Sequence, residues 1–307
     1  MSVLNEFENI RRPVVVLFDS GVGGLAYVPS VTELLPRASI IYIADNAHFP
    51  YGERDDREVT RIVVERMASI VDSISPDVVV LACNTASVVA LSAVRREYPG
   101  TSFVGVVPAV KPAANVSRSG RIGVLATSRT VSGAYLDRLV DEYAAGCVVE
   151  RIAGGELVRF VEYRLPDAGA VERAEAVEAA IARFRDLQVD TAVLACTHFV
   201  HLEREIAAAF GGEVRVVDSR DGVARRVRDI VERREVVDDE IPSNEGSTDR
   251  LLCMCTTATD DRYARFADLF GLDYGGVFTP VRTREKLERT ADRWRNRGGE
   301  GMETEAT

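Results

Sequence analysis

The chain has 307 residues, of which 46% are hydrophobic and 28% are charged, and its formal net charge is −10. This composition is typical of a soluble globular protein, and the length allows two lobes of ordinary domain size. The negative charge argues against a general nucleic-acid or anionic-membrane binder, because both of those partners favour basic surfaces.

The start of the chain lacks the apolar core of a signal peptide, and no stretch approaches the ~18 apolar residues of a membrane span. Its five cysteines are an odd number, thinly spread over a long chain, so a disulfide framework is not expected. We therefore expect a cytoplasmic protein with reduced thiols and no membrane partner.

Short β-forming runs alternate with helical stretches along the chain. The predicted strands are Val14–Phe18, Ile40–Ala44, Val78–Ala82, Phe103–Val107, Arg121–Leu125, Cys147–Ile152, Thr191–Ala195, Glu213–Val217 and Leu251–Cys255. The predicted helices include Glu58–Ser73, Ser87–Tyr98, Ser132–Tyr143, Glu172–Leu187 and Leu202–Phe210. This alternation predicts parallel sheets that are covered by helices on both faces.

One short phrase occurs twice, as DVVVLACNT at 77–85 and as DTAVLACTH at 190–198. The strands beginning the two halves are also similar, ending in VLFD at 16–19 and VLAT at 124–127. The repeat predicts an α/β fold with two similar lobes. Each lobe would be a mostly parallel sheet flanked by helices, with the active-site cleft between the lobes.

The predicted domain boundaries follow from this repeat. Residues 13–108 and 211–282 form the first lobe, and residues 109–210 form the second lobe, which is inserted into the first. Residues 1–12 form an N-terminal tail, and 235–250 form an acidic exposed loop. Residues 283–307 are expected to form a C-terminal helix followed by a disordered tail.

Two cysteines, Cys83 and Cys196, end the repeated strands and precede predicted helices. Ligands bind beyond the carboxyl ends of parallel strands, and a helix N-terminus favours a thiolate. Two thiols facing across a cleft can move a proton to or from either side of a substrate. A buried cysteine is otherwise an inert core residue, and we interpret Cys147, Cys253 and Cys255 in that way. Cysteines in a Cys-Met-Cys pair are too few for a zinc site, so no metal is predicted.

A glycine-rich loop, DSGVGGLA at 19–26, follows the first strand. Gly21, Gly23 and Ala26 match the G-x-G-x-x-G/A dinucleotide pattern, and Asp45 falls where a ribose-binding acid would lie. An NAD-dependent oxidoreductase is therefore an alternative, although Asp19 would repel a pyrophosphate at this loop. The same glycines also suit a simple tight strand-to-helix turn.

Polar residues cluster at the ends of the predicted strands. His198 follows Cys196 by two residues and is a candidate helper of that thiol, as Asp19 is for Cys83. Further candidates for binding a small molecule with carboxylate and amine groups are Pro50, Tyr51, Gly52, Asn84, Thr85, Thr127, Thr130 and Thr197. The expected cleft is small and polar.

Five stretches, in order along the chain, resemble the aspartate/glutamate racemase superfamily and, within it, the glutamate racemases. They are Phe18–Leu25, Ala44–Gly52, Ala82–Ala86, Ala126–Val131 and Ala195–Phe199. They span most of residues 13–282, and Leu251–Leu272 also resembles the closing strand and helix of the family.

The resemblance implies cofactor-independent interconversion of L- and D-glutamate, which supplies D-glutamate for peptidoglycan. It implies that Cys83 acts on D-glutamate and Cys196 on L-glutamate, with Asp19 and His198 assisting. The residues implied to bind the amino acid are Ser20, Tyr51, Gly52, Asn84, Thr85 and Thr197, with Thr127 and Thr130 as additions. The expected partner is the amino acid itself, no nucleic acid is expected, and a homodimer is left open.

The chain contains only two lysines, Lys111 and Lys286. A pyridoxal-phosphate racemase needs a Schiff-base lysine, and neither lies in a motif that suggests catalysis, so no cofactor is predicted. Two departures from the family pattern are Val200 in place of proline and AGG at 153–155 in place of a Cys- and Pro-containing stretch. They leave open a racemase for aspartate or another amino acid, and a catalytically silent binding protein remains a further alternative.

Overall fold

The computed structural model describes residues 12–235 and 250–278. The predicted C-terminal helix, and nearly all of the predicted N-terminal tail and of the acidic loop, lie outside these residues.

Ten strands in the described residues form two parallel sheets. The six-stranded sheet contains β1 (Val14–Asp19), β2 (Ser39–Ala44), β3 (Val78–Leu81), β4 (Ser102–Gly105), β9 (Leu252–Thr256) and β10 (Asp273–Val277), in the order β10-β9-β2-β1-β3-β4. The four-stranded sheet contains β5 (Arg121–Ala126), β6 (Val148–Ala153), β7 (Thr191–Leu194) and β8 (Arg215–Val217), in the order β6-β5-β7-β8. Every neighbouring pair in both sheets runs parallel.

Helices connect these strands. They are α1 (Val28–Leu34), α2 (Asp56–Ile74), α3 (Asn84–Glu97), α4 (Val110–Val116), α5 (Ser128–Val131), α6 (Ala134–Tyr143), α7 (Gly155–Tyr163), α8 (Ala170–Asp186), α9 (Thr197–Val200), α10 (Glu203–Ala209), α11 (Arg220–Glu235) and α12 (Arg262–Leu269). Short 3-10 helices occupy Gly23–Tyr27, Asn46–His48 and Tyr51–Glu53. No helix in the described ranges has the length and apolar character needed to cross a membrane.

The central strands are apolar along their whole length because helices cover both faces of each sheet. All six residues of β1 are buried, with no alternation between buried and exposed positions. Val15 and Leu17 pack into one apolar cluster, while Val16 and Phe18 pack into another on the opposite face. This burial pattern is the one expected of a parallel strand, and it places polar residues only where strands end.

The predicted two-lobed α/β fold is confirmed, and all nine predicted strands are present within two residues of their predicted bounds. Strand β8 corrects the predicted boundary at residue 210. It pairs with β7 in the four-stranded sheet, so the chain returns to the first lobe only after Val217. A three-residue strand carries no sequence signal for the sheet that it joins. Strand β10 was missed because Gly275 and Gly276 weaken its strand pattern.

The chain crosses between the lobes after β4 and again after β8, where α11 packs against α1 of the first lobe. The hydroxyl oxygens of Tyr27 and Ser219 lie 2.9 Å apart at the second crossing. The carboxyl ends of β1 and β3 in one sheet, and of β5 and β7 in the other, consequently face a shared cleft.

Candidate active site

The two repeated cysteines occupy equivalent positions. Cys83 lies between β3 and α3, Cys196 lies between β7 and α9, and each is the residue that precedes the first helical turn. Each thiol residue is 7% exposed. Both line one cavity of about 120 Å³ between the lobes. The repeat therefore brings two thiols into one cavity.

Twelve of the predicted site residues line this cavity. They are Ser20, Pro50, Tyr51, Gly52, Cys83, Asn84, Thr85, Thr127, Thr130, Cys196, Thr197 and His198. Asp19, the remaining one, lies behind the wall, fully buried, where it accepts hydrogen bonds from Ser20 Oγ at 3.2 Å and Thr197 Oγ1 at 3.0 Å. The lining also includes Phe49, Glu53, Ser128, Gly155, Val158, Arg159 and Ala195, which the sequence did not single out.

A histidine–carboxylate pair supports the Cys196 side of the cavity. His198 Nδ1 lies 3.9 Å from Cys196 Sγ, and His198 Nε2 lies 2.9 Å from Glu162 Oε2. Burial lowers the pKa of His198, but its interactions with Cys196 and Glu162 outweigh burial and raise that pKa to about 10. The imidazole is therefore protonated at neutral pH, which places a positive charge beside Cys196 Sγ.

Glu162 is a buried residue of α7 that sequence reasoning did not identify as part of the site. Besides His198, its carboxylate accepts hydrogen bonds from the backbone N–H of Val22 at 3.0 Å and from the hydroxyl of Tyr263. These donors offset the cost of burying a carboxylate. Glu162 lies 36 residues before His198, outside both copies of the repeated phrase at 77–85 and 190–198, so no local motif marks it.

The Cys83 side of the cavity has different chemistry. Ser20 Oγ lies 3.9 Å from Cys83 Sγ, and Asp19 lies behind Ser20. Burial, followed by the nearby Asp19 carboxylate, raises the pKa of Cys83 well above its ordinary value. Burial likewise raises the pKa of Asp19, against the lowering effects of His198 and its hydrogen bonds. Cys83 is consequently a neutral thiol in the substrate-free protein.

One cavity-lining side chain carries an unsatisfied acceptor. The Oδ1 atom of Asn84 is buried and has no hydrogen-bond partner among the described residues. A buried carbonyl oxygen without a donor is costly, so this atom is suited to an N–H group of a ligand. On the second lobe, the hydroxyl oxygens of Thr127 and Thr130 lie 3.1 Å apart and add further polar groups to the wall.

The loop that carries Tyr51 is held by the buried carboxylate of Asp45. Tyr51 donates its hydroxyl to Asp45 Oδ2 at 2.6 Å, while Arg66 Nε and Thr257 Oγ1 donate to Oδ1 at 3.1 and 2.7 Å. Burial and the Asp45 charge raise the pKa of Tyr51 well above its ordinary value. The Tyr51 side chain is therefore held in place as part of the cavity lining, and its hydroxyl stays protonated. Asp45 supports this loop, in place of the ribose contact that the dinucleotide alternative requires.

The glycine-rich loop is packed against the second lobe. A Cβ on Gly23 would lie 2.3 Å from Thr197 Oγ1 and 2.5 Å from His198 Nδ1, and one on Gly21 would lie 2.4 Å from Glu162 Oε2. The glycines therefore allow close approach of the two lobes, and the space in which a pyrophosphate would bind is filled by protein side chains. This packing removes the physical basis of the dinucleotide alternative.

The remaining cysteines and the described lysine lie away from the cavity lining. Cys253 and Cys255 are buried in the core of the first lobe, and Cys147 is half-buried. Lys111 Nζ lies 5.0 Å from the centre of the Tyr143 ring, and Lys286 falls outside the described residues. In residues 12–235 and 250–278, no group of three or more His, Cys, Asp or Glu side chains is arranged to hold a metal ion.

Comparison with known proteins gives a consistent result. The sequence model of the Asp/Glu/Hydantoin racemase family matches residues 23–227. The chain is 37% identical over 290 residues to the glutamate racemase of Sodalis glossinidius, covering 90% of this chain and 94% of that protein. Its structure is similar to that of Escherichia coli glutamate racemase in complex with L-glutamate and the activator UDP-MurNAc-Ala, with a TM-score of 0.77, 31% identity and coverage of 88% of this chain and 100% of the other. It is also similar to the glutamate racemase isoform RacE1 of Bacillus anthracis, with a TM-score of 0.74, 27% identity and coverage of 89% and 100%.

Proposed function

The chain belongs to the Asp/Glu/Hydantoin racemase family, and on that premise we propose that it interconverts L- and D-glutamate by proton transfer between Cys83, Cys196 and the substrate Cα. The observation that carries this proposal is the presence of two thiols, from equivalent strand ends of two lobes, in one small cavity. The reaction would supply D-glutamate for peptidoglycan synthesis in the cytoplasm.

In the proposed reaction, the thiolate of one cysteine removes the α-proton, and the electron pair of the Cα–H bond stays on the substrate as a carbanion. The thiol of the other cysteine then donates its proton to the opposite face of Cα, which inverts the configuration. Cys196 removes the proton of L-glutamate and Cys83 that of D-glutamate. The protonated His198 beside Cys196 and the neutral thiol of Cys83 fit a substrate-free protein that is set to receive the L enantiomer.

An α-proton of an amino acid is weakly acidic, so the site must stabilise the carbanion. The low exposure of both thiols keeps water away from the reacting atoms and strengthens every electrostatic interaction in the cavity. We assign the substrate ammonium to Asn84 Oδ1, the unsatisfied acceptor described above. The substrate carboxylates are assigned to the surrounding hydroxyl and backbone N–H donors, contributed by Ser20, Tyr51, Gly52, Thr85, Thr127, Thr130 and Thr197.

The protein groups that line the cavity supply acid, base and hydrogen-bond donors, so the proposed reaction uses no cofactor. A homodimer stays a prediction, which sedimentation analysis of the purified protein would test. A racemase for aspartate, which the departures at Val200 and 153–155 leave open, is distinguished from the proposed enzyme by substrate assay.

The test is proton NMR of L-glutamate in D2O with the wild-type protein, Cys83→Ser and Cys196→Ser. The proposal expects loss of the α-proton signal and formation of D-glutamate with the wild type, and strongly reduced racemisation with both variants. Cys147→Ser is the matched control, because Cys147 is a half-buried thiol outside the cavity lining.

Other outcomes point to the alternatives. Exchange of L-aspartate but not of glutamate would assign a sibling racemase. Glutamate binding without deuterium incorporation would indicate a catalytically silent binding protein. Either result would overturn the proposed function.

A further inference from the structure

The second lobe contains a histidine that the proposed reaction does not use. His201 follows α9 directly, three residues after His198, and is half-buried. Its Nε2 atom lies 3.1 Å from the carbonyl oxygen of Val22 and 3.0 Å from that of Gly23, both in the glycine-rich loop of the first lobe. Its ring also makes an edge-to-face contact with Phe270 at the end of α12, with 5.5 Å between the ring centres. His201 thus extends from the second lobe to two elements of the first.

The partners of His201 determine where its ring hydrogen lies. A carbonyl oxygen can only accept a hydrogen bond, so Nε2 must carry the hydrogen that points to both carbonyls. Burial of the ring, followed by the positive charge of His198, lowers the pKa of His201 to about 4, although the two carbonyls raise it. His201 is therefore a neutral hydrogen-bond donor at neutral pH, whereas His198 is charged.

The loop that His201 contacts lies beside both catalytic cysteines. At its start, Ser20 Oγ lies 3.9 Å from Cys83 Sγ. Further along, a Cβ on Gly23 would lie 2.5 Å from Nδ1 of His198, the nitrogen that faces the other thiol. A shift of this loop relative to the second lobe would consequently change the geometry on both sides of the cavity.

The second lobe holds this loop through the backbone of one residue. Glu162 Oε2 accepts the N–H of Val22 at 3.0 Å, and His201 donates to the carbonyl of the same residue. Such precision matters for the proposed reaction, in which two sulfur atoms must reach opposite faces of one carbon. Displacement of reacting groups by about 1 Å can cost about 100-fold in rate.

We propose that His201 is a positioning residue that holds the glycine-rich loop against the second lobe through its Nε2–H group. The two thiols are thereby fixed relative to each other. This inference rests on the proposed function of the cavity. His201 does not line the cavity, so it acts through the loop and not on the substrate.

A packing role for His201 makes the opposite prediction. If the ring only filled space beside Phe270, leucine would replace it well, and glutamine would be the poorer substitute because it places an amide beside an aromatic ring. If the Nε2–H group is required, glutamine is the better substitute, because its amide nitrogen is as many bonds from Cα as His201 Nε2 and also donates. The two roles are therefore separable by the order of the two variants.

The test measures kcat and KM for L- and D-glutamate with His201→Leu and His201→Gln. His201→Leu should lower kcat by roughly tenfold for both enantiomers and keep KM within about twofold of wild type, because the groups assigned to bind the substrate stay in place. His201→Gln should restore most of the lost kcat. Phe270→Leu is the matched control, because it removes the ring contact but leaves both hydrogen bonds of His201, and it should leave kcat and KM unchanged.

NMR of the ring nitrogens of the wild-type protein tests the inference without a substitution. At neutral pH, His201 should be neutral, with its hydrogen on Nε2. A ring hydrogen on Nδ1 or on both nitrogens would overturn the inference, as would a kcat of His201→Leu that equals or exceeds that of His201→Gln. In those cases a wild-type protein that racemises glutamate keeps the proposed function. A wild-type protein that does not racemise glutamate would overturn the proposed function and the inference with it.

Discussion

Replacing Glu162 with glutamine tests the electrostatic account of the Cys196 side. The substitution keeps the shape of the side chain but removes the negative charge beside His198 Nε2, where the carboxylate oxygen lies 2.9 Å away. Glutamine can still accept a hydrogen bond at this position, so the main change is the loss of charge. The variant should fold, because the amide oxygen can replace Oε2 and accept from Val22, while the amide N–H2 group can donate to the hydroxyl oxygen of Tyr263.

The magnitude follows from the pKa of His198. The rise from 6.5 to about 10 corresponds to about 5 kcal/mol in favour of the imidazolium, shared between Cys196 and Glu162 and net of the opposing effect of burial. Glu162 is one of the two partners that raise this pKa, so its loss should bring the pKa of His198 below the wild-type value. Because the folded-state pKa is raised, the associated stability is fully present below about pH 6.5 and is lost as the pH rises through the folded-state pKa. In the variant this stabilisation should be smaller, and its loss should be complete at a lower pH.

The assay is NMR titration of the His198 ring nitrogens, together with the pH dependence of kcat. The variant should titrate at lower pH than the wild type, and its kcat should fall on the alkaline side at a correspondingly lower pH. Glu156→Gln, an exposed position at the start of the same helix, is the matched control and should leave both profiles unchanged. A Glu162→Gln protein whose His198 titrates as in the wild type would refute the reasoning.

Three further predictions concern packing, acid stability and the Tyr51 loop. Gly23→Ala should reduce kcat severely and lower the melting temperature, because the new Cβ would lie 2.3 Å from Thr197 Oγ1; an active, equally stable variant would contradict the packing described. Asp190→Asn should lower the free energy of unfolding above pH 4 and change it little at acid pH, which urea unfolding at a series of pH values would measure. Burial raises the pKa of Asp190, but its hydrogen bonds outweigh burial and lower that pKa. The stabilisation by the Asp190 carboxylate is therefore lost as the pH falls through the lowered pKa. Asp45→Asn should raise KM, because the hydrogen bond that positions Tyr51 is weakened. It should also lower the free energy of unfolding by roughly 1–3 kcal/mol in chemical denaturation. Unchanged kinetics would show that Asp45 does not position the substrate-binding loop.

Sequence patterns predicted the parts of this protein that depend on strand ends. The two cysteines, and the polar residues that follow the same strands, meet in the cavity because parallel strands bring their carboxyl ends to one edge. The sequence could not predict contacts that depend on the packing of one lobe against the other. Glu162 reaches the site from a helix that no motif marks, and Arg159 on the same helix reads as an ordinary surface charge until its position at the cavity mouth is known.

The role of the glycine-rich loop also could not be predicted from the sequence, because it depends on contacts between the lobes. Its pattern fits nucleotide binding and a tight turn equally well, and only the positions of Thr197 and Glu162 above Gly23 and Gly21 reveal what the glycines accommodate. Strand β8 joins a sheet that its three residues alone do not specify.

The two thiols have unlike surroundings, with His198 and Glu162 on one side and Ser20 and Asp19 on the other. For an enzyme whose substrate and product are mirror images, achiral water gives both the same free energy, so the equilibrium constant is unity whatever the protein does. The Haldane relation then forces kcat/KM to be equal in the two directions, in the wild type and in every variant. The asymmetry of the cavity can therefore appear only as differences in KM and in kcat that change in the same proportion between the two enantiomers. Damage to either wall must slow the capture and conversion of both enantiomers by the same factor.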